Sequence, residues 1–183
     1  MSNYKPNFFF TFKLNNQDLL DNLRKIQHEL LARNKDLQKY LEPVETAHLT
    51  LNVFYADSEV ITSLKTQIAS SISTLQGKIE VQEIEFQGLG MFRNSVLWAA
   101  PVKGTELLHR LYDLMENVLA ENKCKSILPS FIPHITLFKS NEVDMKISTD
   151  DIGIHKMFGI FLKYLFISKH FQKCFKILRM ELI

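Results

Sequence analysis

Two short stretches of the chain carry one pattern: His48-Leu49-Thr50-Leu51 and His134-Ile135-Thr136-Leu137 both read His, apolar, Thr, apolar. In an extended strand, residues i and i+2 share a face, so each stretch offers an imidazole and a hydroxyl together. Leu49, Leu51, Ile135 and Leu137 point the other way and can anchor the strand in a core. Set side by side, two such strands bring two imidazoles into one cleft. Imidazoles titrate near neutral pH, so one can take a proton while the other gives one, on opposite sides of a reacting phosphorus. The hydroxyls of Thr50 and Thr136 can hold non-bridging oxygens as charge develops on them. Chance places only about 0.3 such triplets in a chain with this many histidines and threonines, so the pair points to a shared site.

The other histidines offer less. His28 and His109 sit among polar residues in helical patterns and read as surface positions; His155 and His170 fall in a basic tail. No pair has His-x₃-His or Cys-x₂-Cys spacing, so neither a metal nor a cofactor is expected. Cys124 and Cys174 read as free thiols of a reducing compartment, cytoplasm or nucleus. Hydrophobic content of 46% and charged content of 23% are those of a soluble globular domain. The apolar run at the start is too short for a signal peptide, and Met157 to Ser168, interrupted by Lys163, is too short to span a bilayer. The net charge of +2 is uneven: residues 155–183 hold Lys156, Lys163, Lys169, Lys173, Lys176 and Arg179 against Glu181. That suits an anionic ligand, or simply a solvated helix face.

Elements that position the triplets follow from periodicity. Pro6 to Leu14 predicts a strand with Phe8, Phe10 and Phe12 on one face and Phe9, Thr11 and Lys13 on the other. Asn16 to Leu41 predicts a long helix capped by Asn16, with Leu19, Leu23, Ile26 and Leu30 on its apolar face. The first triplet strand spans Ala47 to Tyr55. A second helix begins at Asp57 or Ser58. Strands near Ile79 to Phe86 and Ser95 to Ala100 flank a glycine-containing turn, Gln87 to Asn94. Thr105 caps a third helix, and Ser130 to Phe138 is the second triplet strand. A polar loop, Lys139 to Asp151, a helix around His155 to Phe171 and a last strand, Phe175 to Ile183, complete the chain. Written out, this is β-α-β-α-β twice, an internal duplication with a triplet on the second strand of each half. A single α+β domain over 5–183, with lobe-forming halves 5–86 and 95–183, is expected. Nothing reads as a heptad seam, and a monomer is expected.

The paired His-x-Thr motifs resemble those of the 2H phosphoesterase superfamily. Pro6-Asn7-Phe8-Phe9, Phe86-Gln87-Gly88-Leu89-Gly90-Met91-Phe92 and Phe131-Ile132-Pro133-His134, followed by Lys139, resemble the branch with the 2H domain of A-kinase anchoring proteins and 2′,5′-oligoadenylate phosphodiesterases. The branch usually has a small residue where Arg93 stands. The resemblance implies a two-lobed, pseudo-symmetric fold, each lobe an antiparallel sheet with helices outside and the active cleft between. It implies a metal-independent phosphodiesterase of an oligonucleotide or nucleotide substrate, with 2′,5′-linked oligoadenylate or a related RNA phosphodiester as the expected one. A 2′,3′-cyclic phosphate, an RNA 3′ end, or AMP binding without turnover are the alternatives. His48 and His134 are the expected acid–base pair, with Thr50 and Thr136 beside them; which is acid and which base stays open. For the substrate, Phe54 and Asn52 share the strand parity of His48. Phe92 and Arg93 lie in the turn, and Lys139 reaches the cleft only if its strand ends or twists. Phe54 and Phe92 are candidate stacking platforms for a base, or core residues. Trp98 is expected in the core.

Overall fold

The computed structural model describes residues 8–14, 16–76, 82–128, 130–141, 145 and 161–167. The phenylalanine-rich start forms β1 (Phe8–Lys13), whose Phe8, Phe10 and Phe12 are buried as the alternation predicts. Asn16 caps α1 (Gln17–Arg33), its Oδ1 accepting from the Leu19 N–H at 2.9 Å. The helix stops short of the predicted Leu41. Asn34 leaves helical geometry and its side chain caps a new 3₁₀ segment, Lys35–Tyr40, because a short amide competes well for backbone N–H groups. Then follow β2 (His48–Tyr55), α2 (Ser58–Gln76), β3 (Gln82–Phe92), β4 (Val96–Lys103) and α3 (Thr105–Glu121). The short β5 (Lys125–Ser126), β6 (Ile135–Lys139) and β7 (Phe161–Ile167) complete the described elements. No described helix is long and apolar enough to cross a membrane.

The architecture is α+β, with one antiparallel sheet ordered β1-β2-β6-β4-β3-β7 and β5 beside β2. The two triplet strands are central neighbours. They join through Leu49 and Ile135, both fully buried. The halves interleave: β3 pairs with β4 and β7, α3 packs on β2, and α1 reaches across to β7. The segments 5–86 and 95–183 thus both contribute strands to one sheet.

Three other sequence expectations change. The predicted turn Gln87–Asn94 is mostly strand. β3 runs on to Phe92, absorbing Gly88 (φ 81°) in an irregularity of its pairing, and only Arg93 to Ser95 turn. Residues 161–167 form a strand against β3 where a helix was expected; the segment Phe161-Leu162-Lys163-Tyr164-Leu165-Phe166-Ile167 is rich in aromatic residues that suit a pleated surface. The expected last strand, Phe175–Ile183, lies outside the described residues, as do His155 and His170.

The third change is a matter of facing. In the β1–β2 ladder Phe10 lies opposite Asn52 while Thr11 lies opposite Thr50, so Leu51 is an extra, bulged residue. One extra residue flips every later side chain to the other face. Asn52 and Phe54 thus turn away from His48 and are fully buried, against the expectation that they share its face. Phe54 packs on Phe10, ring centroids 4.6 Å apart, and on Phe8 at 6.0 Å. Asn52 donates through Nδ2 to Glu116 of α3. The second triplet repeats the device. Trp98 pairs with Thr136 but Leu97 with Phe138, leaving Leu137 bulged. Here the flip buries Phe138 and returns exposed Lys139, opposite Val96, to the face of Thr136. Phe54 is a core residue, so Phe54→Ala should lower unfolding free energy by about 3–5 kcal/mol in urea titration. A loss below about 1 kcal/mol would return it to the cleft.

Candidate active site

Both histidines leave the sheet ladder half-buried on the face opposite the helices. Because β2 and β6 run antiparallel through the Leu49–Ile135 pair, His48 falls beside Thr136 and Thr50 beside His134. His48 and Thr136 meet in a narrow crevice lined also by Glu42, Pro43, Thr46 and Ala47. The four residues expected to act together are brought together.

The rings are oriented alike. His48 Nδ1 lies 2.9 Å from the Thr46 carbonyl oxygen, and His134 Nδ1 lies 2.7 Å from that of Ile132. A carbonyl only accepts, so Nδ1 carries the proton in each ring. That leaves Nε2 as the lone-pair nitrogen of a neutral imidazole, or as a second N–H donor when the ring is charged. Each acceptor sits two residues before its histidine, so the approach segment of each strand sets the ring.

The surroundings differ. The Phe9 ring stands 6.1 Å from that of His48. His134 is enclosed more tightly: Phe92 meets it edge-on at 5.0 Å and Trp98 lies 5.9 Å away, the two aromatics stacking on each other at 4.8 Å. Burial holds the His134 pKa below its ordinary 6.5; the bond to Ile132 opposes this and His48 adds to it. His134 is therefore set up to be neutral at pH 7.

Phe92 is placed as expected, at the cleft. Arg93 is exposed at positive φ (45°), a geometry uncommon for a non-glycine residue, followed by Asn94 at 55°. Trp98 was expected in the core and instead shares the cleft face. It fits because Gly90 lies opposite; a Cβ there would stand 2.3 Å from the indole ring. The Trp98 Nε1 is buried without a hydrogen-bond partner among the described residues. Lys13, opposite His48 in the ladder, and Phe9, whose ring approaches that of His48, were also missed as site neighbours, although their strand parity is visible in the sequence. Trp98 had its own signal, a large ring facing a glycine, but only across a pairing the sequence does not print. A wider groove lined by Ser71, Thr74, Arg110 and Asp113 lies between α2 and α3, in the helical layer. No cluster of three metal-ligating side chains occurs among the described residues.

Comparison with known proteins gives three findings. A family model described as AKAP7 2′5′ RNA ligase-like domain matches residues 6–182. Human A-kinase anchor protein 7 isoform gamma is 25% identical over 145 residues, covering 74% of this chain and 41% of that protein, so the chain spans well under half of its relative. The MHV ns2 PDE domain superposes with TM-score 0.57 at 21% identity, covering 75% of this chain and 86% of that one. E. coli LigT complexed with phosphate gives 0.51 at 18% identity (79% and 78%), and LigT complexed with 3′-AMP gives 0.51 at 18% (79% and 76%). These structures share the fold.

The His134 environment makes a pH prediction. Its depressed pKa means the fold accommodates the neutral ring: stability is unpenalised above pH 6.5 and falls as pH drops from there toward the depressed value. In an NMR titration His134 should have its midpoint below 6.5, and Phe92→Ala should raise it by letting water reach the ring. A wild-type midpoint at or above 6.5 contradicts this.

Proposed function

Because the chain belongs to the AKAP7 2′5′ RNA ligase-like domain family of 2H phosphoesterases, we propose that it is a metal-independent phosphodiesterase of 2′,5′-linked oligoadenylate or a related RNA phosphodiester. The observation that carries the reading is the matched pair of imidazoles: two rings on one face, each held through Nδ1 by a carbonyl two residues earlier, which leaves Nε2 as the working nitrogen.

His134, kept neutral by burial, serves as base and takes the proton of the 3′-hydroxyl beside a 2′,5′ linkage. That oxygen attacks phosphorus, and the bond from phosphorus to the 5′ oxygen breaks. His48 acts as the acid and delivers an Nε2 proton to the leaving oxygen. Each proton transfer contributes about 10²–10⁴-fold. Thr50 and Thr136 donate to the non-bridging oxygens as charge builds there. Phe92 and Trp98 offer a flat surface for a base, and stacking of this kind is worth about 1–3 kcal/mol. Arg93 and Lys139 supply positive charge at the rim. Complexes of LigT with phosphate and 3′-AMP support a nucleotide phosphate as the ligand class.

The test is a panel of 2′,5′- and 3′,5′-linked adenylate trimers and a 2′,3′-cyclic phosphate, each in EDTA. The 2′,5′ trimer should be cleaved fastest, with a bell-shaped pH–rate profile whose acid limb lies below pH 6.5. His48→Ala and His134→Ala should each lose about 10²–10⁴-fold in kcat. Full activity in either variant removes the two-imidazole mechanism. AMP binding by calorimetry with no turnover of any substrate makes the domain a binding module instead.

A further inference from the structure

Helix α1 carries one polar residue within its buried stripe. Gln27 is 4% exposed, between Ile26 and Leu30 of the apolar face. A buried carboxamide is costly unless its hydrogen bonds are made, so where its protons go matters. Nε2 donates to the Glu42 carbonyl at 2.7 Å and to the Leu137 carbonyl at 3.0 Å. The backbone N–H of Glu42 also donates to the Leu137 carbonyl, at 3.1 Å.

Both acceptors belong to the apparatus of the site. Leu137 is the bulged fourth residue of the second motif, one residue after Thr136. Beyond the single Leu49–Ile135 pair, β2 gives β6 no further ladder partner, and the edge at Leu137 is met by Glu42 and Gln27 instead. Glu42 opens the short segment that runs through Pro43 and a 3₁₀ turn, Val44–Thr46, to the Thr46 carbonyl that orients His48.

We propose that Gln27 is a positioning residue for the phosphodiesterase reaction, its side chain tying the segment that aims His48 to the strand that bears His134 and Thr136. The proposal rests on the reading of the two histidines as the proton-transfer pair. Gln27 touches neither substrate nor imidazole; it acts through two backbone carbonyls. Removing both bonds leaves the His48 approach segment held to the second motif only by the Glu42 N–H bond and the neighbouring Leu41–Phe138 bridge, a looser tie; misplacement of reacting groups by about 1 Å costs about 100-fold.

Gln27→Met keeps length and apolarity while removing both donors. It should lower kcat by about 10- to 100-fold, leave KM within about threefold, and move the ring resonances of His48 and His134 in NMR spectra. Leu23→Ala, buried on the same face one turn earlier, should destabilise the domain yet keep wild-type kcat and unshifted rings at a temperature where it is folded. Equal kcat loss in both variants, or unshifted rings in Gln27→Met, overturns the proposal. Should Gln27→Met fail to fold, the wild-type protein decides: slow hydrogen exchange of the Gln27 Nε2 protons supports the tie, and exchange at the rate of free glutamine overturns it. A wild-type protein that cleaves none of the phosphodiesters defeats the functional reading, while the ring shifts still test the positioning claim.

Discussion

One backbone contact organises the molecule: the antiparallel pairing of Leu49 with Ile135 at the middle of the sheet. Centred on the middle residue of each His-x-Thr triplet, it sets each imidazole beside the hydroxyl of the other triplet. Parallel strands in register would instead set like beside like. The two histidines then stand as diagonal neighbours, a relation in which sheet residues lie about 7–8 Å apart. The buried side chains of Leu49 and Ile135 face the helices and fix which face the reactive groups occupy.

Much of this was legible in the sequence, and the failures lie where contacts between distant segments decide. Alternation identified β1, the triplet strands and their reactive face; the Asn16 cap and the apolar spacing of α1 were equally plain. What alternation cannot show is a bulge, since the inserted residue looks like any other in the sequence. Hence Asn52 and Phe54 were placed on the wrong face. Lys139 reaches the right one only because Leu137 is bulged. Trp98 was assigned to the core because its apolar neighbours suggest burial, whereas its facing depends on Gly90 across the β3–β4 ladder. Gln27 showed as a polar residue in an apolar stripe, but its partners lie in segments distant along the chain.

The two triplets are alike in sequence and in ring tethering yet unequal in environment. His134 sits against Phe92 and Trp98, at the meeting of the β3–β4 hairpin with β6; His48 has the Phe9 ring nearby. A duplicated pattern thus supplies two interchangeable groups, and the surrounding aromatics differentiate them. The difference between the two imidazoles is a property of packing rather than of the motif itself.

The interleaving of the halves bears on how such a cleft can behave. With α3 laid on β2 and α1 carried across to β7, helices of each half pack on strands of the other. Among the described residues, side chains of both halves form one buried core, so neither half keeps that core if separated. The gap between the imidazoles is thus set when the chain folds, much as the bore of a gauge is set at manufacture. Arg93 and Lys139 stand exposed at the rim, on surfaces that can vary without disturbing the interior.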